Sequence, residues 1–399
     1  MNKRFKRGGV SMFLVVVTSM LVSLLVASFI RSVNRDIQSA TNQDLSQSAY
    51  DSAQAGVEDA KRALVKYYQT CVNSSNANCS NILTQLTTNL QDQSCNVLGQ
   101  TLGVGSASGE TLIQTTSGDA DLSQAYTCLK MNITSPDFLG EVESGSSKLV
   151  RLNSAGNFNK IRVSWFNSKN ANGATNLSLM STTEAAANGM PLLTQNGQWK
   201  NGGNPRPSVL KVQLVAETGQ NAETRDYNYN NPVQEDKDGS KFLMLYPVKT
   251  GAGSVSSTTP ISFPYVRHNY SPNVVQYVQC KENFSSTTYA CEATLSVSGN
   301  AAQGAFLRIS SIYNGKTDFK VQLLNNDAVV NFFGTQPVVD STGRANDKFR
   351  RIEARLDTDG INSSYYIPEY AVATEGKICK DMIIRDGTYD PKSSTSNCK

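Results

Sequence analysis

Residues 7–64 read RGGVSMFLVVVTSMLVSLLVASFIRSVNRDIQSATNQDLSQSAYDSAQAGVEDAKRAL. The stretch from Gly8 to Ile30 holds 23 residues without a charge or a proline. At about 1.5 Å per residue, a helix of this length spans the roughly 30 Å hydrocarbon core of a bilayer. A secretory signal peptide has a shorter apolar region, of about 7–15 residues, that ends in a small-residue cleavage site. The sequence therefore predicts a membrane-spanning helix over residues 10–30.

The helical pattern continues beyond the apolar stretch. Between Val10 and Tyr68 there is no proline and one glycine, Gly56. Apolar or small residues recur every three to five positions, at Ile30, Val33, Ile37, Ala40, Leu45, Ala49, Ala53, Val57, Ala60 and Leu64. This spacing is helical, and it predicts one continuous helix of about 55–60 residues. Its second part, residues 31–68, is amphipathic and must bury its narrow stripe against the domain that follows.

Charge is concentrated at the start of the chain. The basic residues number 37 and the acidic residues 33, and four of the basic ones precede the apolar stretch, Lys3, Arg4, Lys6 and Arg7. Although Arg31 and Arg35 follow the stretch, the excess of cations before it favours a cytoplasmic N-terminus with the rest of the chain outside. Without the first four cations the chain is neutral, so its overall charge gives no argument for nucleic acid or an anionic membrane as a partner.

These features together resemble a type IV pilin precursor: a short basic leader ending in glycine, an apolar helix and an amphipathic continuation. Residues 7–64 resemble most closely the N-terminal region of PilX-type pilin-like proteins. The resemblance implies that a membrane prepilin peptidase cuts after Gly9 and that Val10, the first mature residue, is methylated; a cut after Gly8 is the alternative. It also implies that other pilin subunits are partners through the N-terminal helix.

One position departs from the pilin pattern. The family usually carries a glutamate at the fifth mature position, where this chain has Leu14, and moving the cut by one residue would place Phe13 there. In the family that glutamate meets the terminal amine of a neighbouring subunit. Its replacement favours a minor, initiating or tip subunit, or a pseudopilin, over a major self-polymerising subunit.

Within the apolar helix, Ser19, Ser23 and Ala27 form a row of small residues four positions apart. Such a row permits close approach of another helix in a membrane. The alternative is that the hydroxyl groups are simply tolerated at these positions.

Eight cysteines follow the apolar stretch, an even number that indicates disulfides on the outside of a membrane. Closure between cysteines that are near in sequence favours the pairs Cys71–Cys79, Cys95–Cys128, Cys280–Cys291 and Cys379–Cys398. The last pair would resemble the disulfide-bounded C-terminal loop of many pilins. No tight C-x-x-C pair is present, and the chain has a single histidine, His268, so the sequence predicts no metal site.

The chain after residue 70 has the patterns of β-structure. Alternating or dense apolar runs predict strands around residues 161–165, 210–216, 242–248, 274–278, 305–313, 319–324, 328–333 and 352–356. Residues 196–207 are rich in glycine and asparagine, and residues 250–260 are rich in glycine, serine and threonine. Both compositions are typical of linkers or long surface loops. The sequence therefore predicts an α+β fold, a long helix packed on a mainly antiparallel β-rich head, with a first lobe at 69–250 and a second at 251–399.

No catalytic arrangement is singled out. His268 lies in YVRHNYSP without a nucleophile motif nearby. The DTDG run at 357–360 resembles the start of a calcium loop, but Ile361 and Pro368 occupy positions that need ligands. Two further groups have alternative interpretations. The row Arg351, Glu353 and Arg355, with Lys348 and Arg350 nearby, could form a basic patch that contacts DNA or an anionic wall polymer, or be a solvated face with its own ion pair. Tyr365, Tyr366 and Tyr370 could form an aromatic sugar-binding shelf or be ordinary core and edge residues.

The sequence predicts a non-enzymatic protein without a cofactor: a minor pilin-like subunit, anchored in the cell membrane by one helix and displayed at the pilus or cell surface. Its head would serve adhesion, with a host-surface or wall polymer as ligand. The alternative is a signal-anchored surface adhesin or a wall-facing enzyme unrelated to pili.

Overall fold

The computed structural model describes residues 8–72, 78–113, 123–174, 176–187, 199, 205–215, 241–263, 275–297, 305–313 and 315–358. Within these ranges the chain has the predicted α+β fold, a long N-terminal helix joined to a mainly antiparallel β-rich head. Several predictions lie outside the described residues: those on the leader before Gly8, on His268, on Tyr365, Tyr366 and Tyr370, and on the Cys379–Cys398 pair.

Helix α1 runs without interruption from Gly8 to Tyr67, 60 residues, and continues as one π-helical turn, Tyr68–Val72. The predicted continuous helix is therefore confirmed, and at 1.5 Å per residue it is about 90 Å long. Three short helices follow in the head, α2 (Asn78–Thr87), α3 (Val97–Leu102) and α4 (Thr182–Ala187).

The strands of the head are β1 (Thr111–Leu112), β2 (Ala125–Ser135), β3 (Phe138–Val142), β4 (Ser147–Arg151), β5 (Lys160–Trp165), β6 (Val209–Val215), β7 (Lys241–Val248), β8 (Pro260–Ser262), β9 (Val275–Gln279), β10 (Cys291–Ser296), β11 (Phe306–Ile312), β12 (Thr317–Asn325), β13 (Ala328–Val330), β14 (Phe332–Ala345) and β15 (Lys348–Arg355). They form three sheets. Helix α1 packs on the sheet of order β1-β2-β14-β15, in which every pairing is antiparallel.

The other two sheets pack face to face as a sandwich. One has the order β13-β12-β5-β10-β8, with β3 also paired to β12, and the other has the order β4-β11-β6-β7-β9. Alternate side chains of their strands point inward and form a single buried core that includes Trp165, Phe319 and Leu245. A disulfide from Cys280, next to β9, to Cys291 of β10 joins the two sheets.

Strands on the two sides of residue 250 share these sheets. Strand β11 pairs with both β4 and β6, and β5 pairs with both β10 and β12. The two lobes predicted at 69–250 and 251–399 therefore interleave, and residue 250 does not divide the described sheets. The boundary prediction rests on the loop-like composition of residues 250–260. Neither loop composition nor apolar periodicity carries information about which strands pair.

Candidate functional site: the N-terminal helix and its seat on the head

The first half of α1 projects away from the head. Every described side chain from Met12 to Asp44 is exposed except the half-buried Val33, and we call residues 12–44 the projecting segment. Ala49 is the first residue along α1 whose side chain is fully buried by the head. The predicted packing stripe is therefore confirmed from Ala49 onwards and is wrong for Ile37 and its neighbours, because the surface of the head does not extend that far along the helix.

The apolar part of the projecting segment is unusual for a folded chain. Met12 is 74% exposed and Leu25 70%, and no residue of the apolar window is buried by the head. Within the described part of the chain, α1 is the one helix long and apolar enough to cross a membrane by length and composition. An apolar surface of this size needs a covering, from lipid or from other helices.

The row of small residues lies on this exposed surface. The Ser23 hydroxyl donates a hydrogen bond to the Ser19 carbonyl oxygen at 2.8 Å. The Ser19 hydroxyl donates one to the Val16 carbonyl oxygen at 2.9 Å. Because each hydroxyl is satisfied within its own helix, Ser19 and Ser23 can stand in an apolar environment without an external partner. Ser19, Ser23 and Ala27 are thus compatible with lipid and with a close helix neighbour, and the packing role stays a prediction.

Gly9 and Val10, the predicted cleavage residues, lie within the first turn of α1, which begins at Gly8. Their processing remains a prediction from the resemblance. Leu14, at the position where pilins usually carry glutamate, is 61% exposed in the projecting segment.

The second half of α1 is fixed to the head at a surface that we call the seat, the contact of residues 49–67 with β2, β14 and β15. Small residues of the helix make this contact closer than usual. A Cβ on Gly343 of β14 would come within 3.0 Å of the backbone of Ala49 and Ala53, and a Cβ on Gly56 of α1 would overlap the Ser341 hydroxyl. Helix and strand backbones therefore touch directly.

Polar contacts surround the seat. The Tyr126 hydroxyl donates a 2.6 Å hydrogen bond to Asp59 Oδ2, and burial, followed by this bond, raises the pKa of Tyr126 to about 12. The Lys66 ammonium donates to the Leu102 carbonyl oxygen at the end of α3. Nearest the projecting segment, Arg350 Nε donates to Ser46 Oγ at 2.7 Å. These bonds hold the helix at both ends of its buried length.

Beyond the end of α1, the predicted disulfides connect the chain locally. Cys71–Cys79, Cys95–Cys128 and Cys280–Cys291 are all formed, which confirms three of the four predicted pairs. The first ties the π-helical turn after α1 to α2, and the second ties the segment before α3 to β2. The turn after α1 and one strand of the seat, β2, are thus each cross-linked to a neighbouring segment.

The charged row on β15 is partly solvated, and its ion-pair partners lie on neighbouring segments. Arg351, Glu353 and Arg355 share the sheet face opposite Ile352 and Ala354, as the alternation predicted. The ion-pair partners are not within the row: Arg351 binds the buried Asp340 through two hydrogen bonds, of 2.7 and 2.5 Å, and Arg355 binds Asp137 at 2.7 Å. Acids from neighbouring segments thus pair with both arginines. The exposed Arg350 bonds to the neutral Ser46, and Lys348 lies 3.6 Å from Asp347, so contact of this face with an anionic polymer stays a prediction.

The DTDG run and the surface cavity are two further candidate sites, and their charged residues are also engaged in ion pairs. Asp357 of the DTDG run makes an ion pair of 2.6 Å with Lys148. The described residues contain no group of three histidine, cysteine or acidic side chains able to hold a metal ion. An open surface cavity of about 460 Å³ lies beside the seat, and the acid and base that line it, Asp59 and Arg62, pair with each other at 2.9 Å.

No protein-family model, curated protein or solved structure matches the chain. What bears on function is therefore the geometry of its own residues, chiefly the bare apolar half of α1 and the seat. The sequence reasoning missed the seat glycines. A signal was present, because Gly56 is the one glycine between Val10 and Tyr68 and glycine costs about 1 kcal/mol in a helix interior.

Proposed function

We propose that this protein is a pilin-like subunit, held in the membrane by α1 and then built into or onto a type IV pilus as a minor component. The observation that carries the proposal is one uninterrupted helix whose apolar half is bare and whose other half is fixed in the head. Such a helix can pass from lipid into a bundle of apolar helices without refolding, because both surroundings cover the same surface.

Two further features support a displayed, structural role. The head is β-rich and cross-linked by disulfides, as is typical of proteins outside the reducing cytosol. Leu14 in place of the usual glutamate favours a minor subunit over one that polymerises on its own. In this proposal the head faces outward from the fibre and serves adhesion or surface interaction.

The test is the intact mass of the protein extracted from membranes of its native host. We expect the loss of residues 1–9 and one added methyl group on Val10. A Gly9→Val variant should keep the leader, whereas Gly8→Ala should be processed normally. Cleavage of the Gly8→Ala variant, together with an intact leader in the Gly9→Val variant, would assign the site to Gly9.

A full-length N-terminus in the wild type would contradict the pilin pathway. The protein would then be a signal-anchored surface domain, and the head would be assayed for adhesion and for hydrolytic activity. Fibre preparations provide a second readout, since a minor subunit should co-purify with sheared pili and an anchored surface protein should remain with the membrane.

A further inference from the structure

Two arginines stand directly after the apolar part of α1. Arg31 follows Ile30, and Arg35 lies four residues further along the same uninterrupted helix. Both side chains are exposed, and no carboxylate among the described residues pairs with either guanidinium. Both guanidinium groups are therefore available to a ligand from outside the chain.

The depth of these arginines matches one layer of a bilayer. If the apolar stretch that ends at Ile30 fills the hydrocarbon core, Arg31 emerges at its edge and Arg35 lies about 6 Å further out. The headgroup layer on each side of the core is about 5–8 Å thick. Both guanidinium groups therefore fall within the layer that contains the lipid phosphates.

The two arginines also share a face. At about 100° per residue, their side chains point within about 40° of each other, and successive positions one turn apart are close enough to act on one ligand. The apolar residues of this part of the helix, Val33, Ile37 and Ala40, lie on the opposite side. The arginine face is thus free for lipid even if the apolar face contacts another helix.

We propose that Arg31 and Arg35 form a clamp for the phosphate of an anionic phospholipid in the outer leaflet of the membrane. Planar guanidinium groups bind phosphate oxygens through paired hydrogen bonds, more specifically than an ammonium group does. The clamp fixes the depth at which α1 stands before assembly. This inference rests on the membrane anchor of the proposed function, but not on leader cleavage or on pili.

The test uses the full-length protein in vesicles of phosphatidylcholine with a minor fraction of phosphatidylglycerol. After mild detergent extraction, native mass spectrometry measures the phosphatidylglycerol retained on each protein relative to phosphatidylcholine. We expect enrichment on the wild type and a decrease of about tenfold in R31Q/R35Q. The R31K/R35K variant keeps the charge without the planar fork and should retain an intermediate amount.

A matched control separates a local clamp from general charge. K169Q/K281Q removes two exposed head lysines and should retain as much phosphatidylglycerol as the wild type. Soluble glycerol phosphate added to the extracted protein should give no adduct. Equal retention in the wild type and R31Q/R35Q, or an equal decrease in the control, would overturn the clamp. A wild type that does not float with vesicles would contradict the membrane anchor itself, and a cleaved or uncleaved leader would affect neither result.

Discussion

Gly343 of β14 lies against the backbone of Ala49 in α1, so close that a Cβ on the glycine would stand less than 3.0 Å from the Ala49 carbonyl oxygen. The contact joins the helix that projects from the head to the central strand of the sheet that carries it. Because no side chain separates the two backbones, a larger residue at position 343 would push the helix away from the strand.

Substitution of Gly343 by alanine should loosen this contact. The added methyl group must displace helix backbone and not a flexible side chain, so we expect a loss of about 1–3 kcal/mol in the free energy of unfolding. Urea unfolding of the detergent-solubilised protein, followed by tyrosine and tryptophan fluorescence, measures it. Gly315→Ala is the matched control, because nothing lies within 4 Å of its added Cβ; equal midpoints for the two variants would contradict the close approach.

The opposing glycine, Gly56, allows a coupled test. Gly56→Ala should destabilise the protein despite the better helix propensity of alanine, because its Cβ would overlap the Ser341 hydroxyl. That hydroxyl is buried without a hydrogen-bond partner among the described residues, so Ser341→Ala should be neutral or stabilising. The double variant should recover about 0.5–3 kcal/mol relative to the sum of the single changes. Strict additivity in the unfolding free energies would mean that the two residues are not in contact.

The features that could be predicted from the sequence are local ones. The absence of proline and the helical spacing of apolar residues predict the continuity of α1, which runs over 60 residues. Cysteines that are near in sequence lie near in space when the chain between them is short. Strands such as β5, β6 and β12 follow from alternation within a few residues. Asn326 and Asp327 form a two-residue hairpin turn between β12 and β13, with positive φ values of 47° and 74°. Asparagine and aspartate are residue types that favour such a turn.

The features that could not be predicted depend on residues far apart. Ile37 and Ala53 are equivalent in the helical stripe, yet only Ala53 meets the head. The partner of Arg351 is Asp340 on the neighbouring strand, not Glu353 on its own. The seat depends on two glycines far apart in sequence, Gly56 and Gly343, that both lie where α1 contacts β14. The sequence pattern does not indicate which strand will lie under which turn of the helix.

Alkaline pH should weaken the seat through Tyr126. Its pKa is about 12 in the folded protein against an ordinary value of 10.0, chiefly because it is buried and secondarily because it donates to Asp59. A raised pKa of this kind contributes stability that is complete below pH 10.0 and is lost as the pH rises towards about 12, since the unfolded chain then releases its proton first. We expect the urea midpoint to fall over this interval.

The part due to Tyr126 can be isolated by substitution. Tyr126→Phe should lower stability at neutral pH, because Asp59 loses a hydrogen bond, but should make the alkaline decrease less steep. Tyr50→Phe removes an exposed phenol from α1 and is the matched control. The remaining slope should come from other buried tyrosines, among them Tyr68 and Tyr246, whose pKa values burial also raises to about 12. An unchanged slope in Tyr126→Phe would contradict its protonated, buried state.

Ser23 separates the two interpretations of the small-residue row. Its hydroxyl is satisfied by the Ser19 carbonyl oxygen, so removal of that group should have little effect on helix or membrane insertion. If another helix packs here, Ser23→Ile should reduce incorporation into sheared fibres, because the larger side chain prevents close approach, while Ser23→Ala should assemble normally. Val22→Ile adds bulk on a neighbouring face and controls for size. Carbonate-resistant membrane fractionation should give the same yield for all three variants. Normal incorporation of Ser23→Ile would show that the row is tolerated in lipid and is not a packing surface.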